Sequence, residues 1–153
     1  MSDLSEKDIE IFIEAIGGYF KQITHEAASI GVAYLAQNAF PMNDFTGLIK
    51  VSADYTGALY FSAPSAMLRH LLTVMKETDQ SEENLLDAVG EIANTISGNA
   101  RKYFGENMVI STPEKIIGIP ADLNRSEKNY AYVIIIKWKH YSASLVVDIK
   151  RIR

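Results

Sequence analysis

Two neighbouring side chains, Glu91 and Asn94, have types and a spacing that could support hydrolysis. Residues three apart on a helix are separated by about 60° around its axis, so both side chains would project to the same side. A carboxamide both accepts and donates hydrogen bonds, which would let Asn94 set the direction from which a water attacks. Phosphoryl hydrolysis suits such a residue, because its catalysis is mostly positioning and charge stabilisation. Glu91 could pair with a lysine of a protein substrate and hold Asn94 in place.

The residues around this pair predict an amphipathic helix. An apolar stripe recurs at helical spacing and comprises Leu85, Val89, Ile92, Ala93, Ile96, Ala100 and Tyr103. The opposite side carries Asp87, Glu91, Asn94, Gly98 and Arg101. Ser81 and the two glutamates after it are typical of a helix start, and Gly105 is typical of a helix end near Phe104. We therefore expect Glu91 and Asn94 on the exposed face of a long helix.

Small residues flank the pair, although a glycine inside a helix costs about 0.5 to 1 kcal/mol relative to alanine. They are Gly90, Ser97 and Gly98. One explanation is a flat groove in which the backbone of another protein approaches Glu91 and Asn94. The other is that the glycines allow a neighbouring element of the same fold to pack closely. The two glycines beside an exposed Glu/Asn pair favour docking.

The rest of the chain predicts further helices and strands. A capping sequence at residues 5–8 precedes a long helix that extends to about Ile23, and Pro64 opens a short helix. Strands are predicted within 28–40 and over 46–52, 57–62, 108–111, 115–119, 130–141 and 144–152, with a polar loop over 122–129. The apolar block 132–136 predicts a strand covered on both faces. Together these elements predict one α+β domain over residues 1–153, with two long helices packed on an antiparallel sheet.

Composition excludes several classes of function. The chain has 153 residues, of which 48% are hydrophobic, so it can bury a core without disulfides or metals. It contains no cysteine, which excludes thiol nucleophiles and cysteine-ligated metals and suits a cytoplasmic protein. We expect no signal peptide and no membrane span, because no run approaches about 18 apolar residues. The net charge of -4 argues against a nucleic-acid binder.

Other catalytic motifs are missing from the sequence. It has no Gly-x-Ser-x-Gly elbow and no glycine-rich loop of the phosphate-binding or dinucleotide-binding kind. The three histidines, His25, His70 and His140, are far apart and lack metal-ligand spacing. We therefore predict neither a metal site nor a cofactor in this chain.

The motif Asp87-x-x-x-Glu91-x-x-Asn94-x-x-x-Gly98 resembles that of the CheX/CheC/FliY phosphatases of bacterial chemotaxis, and it is most similar to CheX. The resemblance continues through residues 110–113 to 116–118. Residues 47–51 and 57–62 and the helix start at Pro64 are similar to the strands and helix that lead to the motif in that family. The similarity covers roughly residues 45 to 118, and the flanks match only by pattern.

This resemblance implies a fold of the CheC/CheX type and hydrolysis of the aspartyl phosphate of a CheY-type response regulator. Glu91 would pair with a lysine of the regulator, and Asn94 would orient the water. Asp87, Gly90 and Gly98 would belong to the partner-binding surface. The phosphate and a magnesium ion would belong to the regulator, so this chain would contribute no metal.

Two further expectations follow from the resemblance. Members of the CheC type hold two centres, whereas the first long helix here has Glu14 followed by Gly17, which implies a single centre as in CheX. A homodimer joined by sheet pairing is also implied, and the long C-terminal strand is available for it.

Two other interpretations use the same residues. The chain could be a non-catalytic module that binds phosphorylated receiver domains or components of the flagellar switch. It could also be a structural or regulatory domain in which Glu91 and Asn94 are ordinary surface residues.

Overall fold

The protein consists of helices packed on an antiparallel sheet. Its structure is a computed structural model, which describes residues 1–37, 39–120, 123 and 130–152. The helices are α1 (Glu6–Thr24), α2 (Ser65–Val74) and α3 (Glu82–Phe104). The strands are β1 (Ser2–Asp3), β2 (Ser29–Ala36), β3 (Phe45–Ala53), β4 (Tyr55–Ala63), β5 (Met108–Ile110), β6 (Glu114–Ile117), β7 (Ala131–Trp138) and β8 (Tyr141–Arg151). This architecture confirms the predicted α+β class. The polar loop predicted over residues 122–129 lies outside the described residues, apart from Leu123.

Within the described residues the sheet has eight strands, and all of their pairings are antiparallel. Its order is β2-β7-β8-β4-β3, and both β5 and β6 pair with the far side of β3. β1 pairs with the end of β8, where Ser2 lies opposite Arg151. Because β7 and β4 flank β8 on its two sides, the prediction that the C-terminal strand is available for pairing with a second copy is wrong.

Alternate residues of the central strands face two apolar layers, as the twofold repeat of a strand requires. The larger layer lies under the helices, and Ile49, Phe61 and Leu145 are among its fully buried residues. The smaller layer lies on the other face and includes Leu48, Tyr60, Leu123, Val133 and Val146. Neighbouring β7 residues Val133 and Ile134 are both fully buried, which confirms the prediction of a strand covered on both faces.

A capping box fixes the start of α1, as the sequence predicts. The Ser5 backbone N–H donates to Asp8 Oδ2 over 2.8 Å, and the Asp8 N–H donates to Ser5 Oγ over 3.2 Å. Arg151 of β8 donates two hydrogen bonds to the same carboxylate, at 2.6 and 3.0 Å. The bonds from Arg151 lower the pKa of Asp8 below its ordinary value, although burial opposes this. The first helix is therefore joined to the last strand by a bidentate ion pair.

Candidate functional site

The long helix α3 carries the candidate residues, and the sequence determines both of its ends. The Ser81 hydroxyl accepts a hydrogen bond from the Asn84 N–H at 3.3 Å, and Gly105 ends the helix with a φ of 96°. Near the C-terminal end, Arg101 Nε donates to the Met108 carbonyl over 2.7 Å and so joins the helix to β5. The helix start and end predicted near Ser81 and Phe104 are confirmed.

A glycine of β3 brings α3 close to the sheet. A Cβ atom added to Gly47 would lie 2.6 Å from the Val89 carbonyl oxygen and 2.9 Å from Ala93 Cβ. No larger residue fits between strand and helix at this separation, because such contacts lie well inside van der Waals distance. Gly47 therefore sets the depth at which the middle of α3, with Glu91 and Asn94, rests on the sheet.

Glu91 and Asn94 are both accessible. Glu91 is exposed and Asn94 is half-buried. Neither side chain forms a hydrogen bond or an ion pair with another residue in the part of the chain that the structure describes. Their donors and acceptors are therefore open to water or to a second molecule, and the packed helix beneath them limits their movement.

Lys115 of β6 lies beside the pair, against Asp87 and Gly90 of α3. Lys115 Nζ lies 2.6 Å from Asp87 Oδ1, and both side chains are about half exposed. The hydrogen bond that Lys115 donates to Asp87 raises the pKa of Lys115, and the negative charges of Glu91 and Glu83 add smaller contributions. Asp87, which the sequence assigns to partner binding, is thus already paired within the chain. Its role toward a partner stays a prediction.

Gly90 accommodates the stem of the same lysine. A Cβ atom at Gly90 would lie 2.9 Å from Lys115 Cγ and 3.0 Å from Lys115 Cδ, with Pro113 Cβ at 3.5 Å. Gly90 is buried, and so is Ser97. The flat groove predicted at Gly90 is therefore wrong, because Lys115 and Pro113 occupy the space, and burial of Ser97 removes it from the surface as well. At Gly90 the structure supports the alternative of close packing within the fold.

Gly98 differs from Gly90. It is half-buried, and a Cβ atom added there would meet nothing within 4 Å. The surface beside Asn94 is open at this end, as the sequence predicts, and a role of Gly98 in partner binding stays a prediction. Tyr103, by contrast, is 69% exposed, so its expected place on the buried stripe is wrong; Phe104, the next residue, packs against the core instead.

The other side of the pair borders an apolar cavity between the three helices. The cavity has a volume of about 270 Å³, and Glu91 and Thr95 lie in its wall. Tyr19 of α1 also lines it, and burial raises the pKa of its phenol, to which the nearby negative charge of Glu91 contributes. Glu91 therefore has an apolar neighbourhood on one side and Lys115 on the other.

The sequence does not identify these neighbours of the pair. Lys115 belongs to a predicted strand, and Tyr19 to the predicted first helix. Their proximity to α3 arises from packing between elements distant along the chain, for which a single sequence contains no periodic signal. In the residues that the structure describes, no group of three or more His, Asp or Glu side chains could hold a metal ion. None of the helices there is long and apolar enough to span a membrane.

Known proteins share both sequence and fold with this chain. The sequence model of the family described as chemotaxis phosphatase CheX matches residues 45–137. No curated protein matches the chain. The chemotaxis protein CheX of Vibrio vulnificus is 16% identical, with a TM-score of 0.78 over 94% of this chain and 99% of that one. CheX of Desulfovibrio desulfuricans is 18% identical, with a TM-score of 0.80 and the same coverage.

A third similar structure is a complex from Borrelia burgdorferi. It contains CheX, CheY, BeF3 and magnesium, and its matched chain is 15% identical, with a TM-score of 0.73 over 94% of this chain and 97% of that one. At such identities these structures establish the fold, while the family match extends over more than half of the sequence. The chain belongs to the CheX family of chemotaxis phosphatases.

Proposed function

We propose that this protein hydrolyses the aspartyl phosphate of a CheY-type response regulator. Glu91 binds a lysine of the regulator, and Asn94 orients the attacking water. The observation that supports this most directly is the pair itself. A carboxylate and a carboxamide lie one turn apart on a packed helix, both are accessible, and neither is paired within the described residues.

The two side chains have separate roles in this reaction. The Asn94 carboxamide oxygen accepts a hydrogen bond from the water and aims its oxygen at phosphorus. The bond between phosphorus and the aspartyl oxygen breaks, and the products are the aspartate carboxylate and inorganic phosphate. The negative charge of Glu91 would not stabilise the phosphoryl group, so its role is to bind a cation on the regulator. The regulator supplies both the phosphate and a magnesium ion.

A cytoplasmic location stays a prediction. The assembly that we propose is a homodimer. β8 lies inside the sheet, so pairing with a second copy would use an edge strand, and we assign it to β2, at one end of the strand order. Val32 and Leu35 of β2 are 55% and 53% exposed. An exposed apolar edge strand is a template for pairing with another chain. Two copies joined along β2 would form one continuous sheet.

Replacement of Asn94 tests the catalytic proposal. We expect Asn94→Ala to slow phosphate loss from a phosphorylated CheY-type receiver domain by about 10²-fold, because the water is no longer oriented. Binding of the activated receiver should be retained. The matched control is Asn99→Ala, which removes the same group from α3 at a separate shallow depression that Asn99 shares with Glu14.

Glu91→Gln should mainly weaken binding, since it removes the charge and keeps the shape. Its control is Glu14→Gln, at an exposed glutamate of α1. Normal dephosphorylation by Asn94→Ala would contradict the phosphatase proposal and would favour a non-catalytic module that binds receiver domains. Normal affinity of Glu91→Gln would contradict the role assigned to Glu91.

A further inference from the structure

The cavity beside Glu91 is apolar inside and acidic at its rim. Its walls come from α1, the end of α2 and α3. The apolar residues are Tyr19, Ile23, Leu72, Met75, Ala88 and Ile92. The polar residues are Asn84, Asp87, Glu91 and Thr95. The cavity is therefore continuous with the proposed site, because Glu91 belongs to both.

The size of this cavity favours a protein side chain as its occupant. Pockets for drug-sized molecules measure about 300 to 1,000 Å³ and contain converging polar groups. This cavity has about 270 Å³ and an apolar interior. Met75 lines it and is 37% exposed, so part of its apolar wall faces solvent. One or two aliphatic or aromatic groups from another protein would fill it and remove that surface from water.

The charges at the rim indicate what lies next to that side chain. Asp87 is neutralised by Lys115, whose ammonium group is 2.6 Å away. Glu91 has no ion pair in the described part of the chain, so the uncompensated charge at the rim is negative. The complementary surface is a cation adjacent to an apolar side chain.

We infer that this cavity receives an apolar side chain of the phosphorylated receiver domain, presented beside the lysine that binds Glu91. The inference rests on the proposed function and adds a second contact to it. Glu91, as an exposed carboxylate, would contribute at most about 1 kcal/mol to affinity, because exposed ion pairs are worth no more than that. The buried apolar contact would supply the larger part of the affinity, and the ion pair would add to it and fix the orientation.

The first test removes most of an apolar side chain that lines the cavity. Met75→Ala should weaken binding of a receiver domain activated with beryllofluoride and magnesium by about three- to tenfold, because apolar contact area is lost. The matched control is Val74→Ala. Val74 is 36% exposed, almost the same as Met75, but it does not line the cavity. Its affinity should equal that of the wild type.

The second test fills the cavity. Ala88→Leu should weaken binding by about tenfold or more, since that is the affinity contributed by burial of one large aliphatic side chain. The rate of phosphate loss at saturating receiver should stay within about twofold of the wild type, because Asn94 is unchanged. Ala66→Leu adds the same side chain at an exposed position of α2 and should change neither quantity. Thermal unfolding and light scattering of each variant establish that it is folded and report its oligomeric state.

The outcomes separate this inference from the proposed function. If the wild type neither binds nor dephosphorylates any of a panel of CheY-type receivers, the proposed function fails and the inference fails with it. If the wild type is active and Met75→Ala and Ala88→Leu bind as tightly as their controls, only the cavity inference is overturned. A change of oligomeric state in these two variants, with receiver affinity unchanged, would assign the cavity to a second copy of this chain and would also overturn it.

Discussion

At the scale of single residues, Gly90 shows why a glycine beside a candidate site is ambiguous in a sequence. Its lack of a side chain suits both a partner's backbone and a neighbour within the fold. The structure fills the space with the Lys115 stem, 2.9 to 3.0 Å from where a Cβ atom would lie. The lysine then reaches Asp87, so one glycine accommodates an ion pair that borders the site.

This packing makes the effect of Gly90→Ala depend on Lys115. In a Lys115→Ala background, Gly90→Ala should increase the free energy of unfolding by about 0.5 to 1 kcal/mol, because alanine is favoured inside a helix. In the wild-type background the gain should be reduced or reversed, because the new methyl group collides with the lysine stem. Urea unfolding of the wild type, the two single variants and the double variant measures this coupling. An equal gain in both backgrounds would contradict the packing role.

At the scale of elements, the site depends on how deeply α3 rests on β3. Gly47→Ala should lower the free energy of unfolding by about 1 to 3 kcal/mol, because its methyl group would overlap the Val89 carbonyl and displace the helix. Dephosphorylation should also slow, since α3 carries Glu91 and Asn94. Gly17→Ala is the control, because Gly17 lies on α1 and a Cβ atom there meets nothing within 4 Å. Chemical denaturation and phosphate release measure the two effects, and equal stabilities of the two variants would contradict the role of Gly47.

The ion pair between Asp8 and Arg151 predicts how the attachment of α1 to β8 responds to acid. Hydrogen bonds to charged groups contribute about 1.5 to 3 kcal/mol, so Asp8→Asn should lower the free energy of unfolding by about that amount at neutral pH. The folded pKa of Asp8 is depressed, so this contribution is complete above the ordinary value of 3.8 and is lost as the pH falls through the folded pKa.

The free energies of unfolding of the wild type and of Asp8→Asn should therefore become more alike in acid. Urea unfolding at neutral pH and down to about pH 2.5 measures both. Asp3→Asn serves as a control, since Asp3 pairs with Lys150 but its side chain is 76% exposed. A difference that stays constant with pH would contradict the assignment to the Asp8 carboxylate.

At the scale of the whole molecule, β2 is the strand expected to join two copies. Val32→Lys with Leu35→Lys should shift the protein from dimer to monomer, because lysines on an edge strand disfavour pairing. Val109→Lys is a suitable control on β5 at the opposite side of the sheet, where Val109 is 45% exposed. Light scattering over a range of concentrations measures the mass. A wild type that is monomeric throughout would contradict the proposed dimer.

Interactions between residues close together in the sequence could be predicted, whereas those between distant segments could not. Local signals were sufficient for the capping box at Ser5, for the bounds of α3 and for most strands, because caps and hydrophobic periodicity act within a few residues. Exposure of Glu91 and of Asn94 followed from the same periodicity. Strand order is different, because it depends on contacts between distant segments. The long β8 therefore resembled an edge strand in the sequence although it lies inside the sheet.

The surroundings of the candidate pair could not be predicted for the same reason. Lys115 lies 28 residues from Asp87 along the chain, and Tyr19 is more distant still from Glu91. Helical spacing identifies which residues share the exposed face of α3, but it contains nothing about which strand or helix lies beside that face. The covered Gly90 and the open Gly98 are consequently equivalent in the sequence and different in the fold.

The pairing of β1 with the end of β8 has a consequence for the connectivity of the chain. Ser2 and Arg151 are opposite each other in neighbouring strands, so a short connector could link these two residues. The exposed turn at Lys139 and His140 offers a place to open the chain instead, since loop tips tolerate new termini best. Such a circular permutant would keep α3 uncut, with the water-orienting carboxamide in the same surroundings.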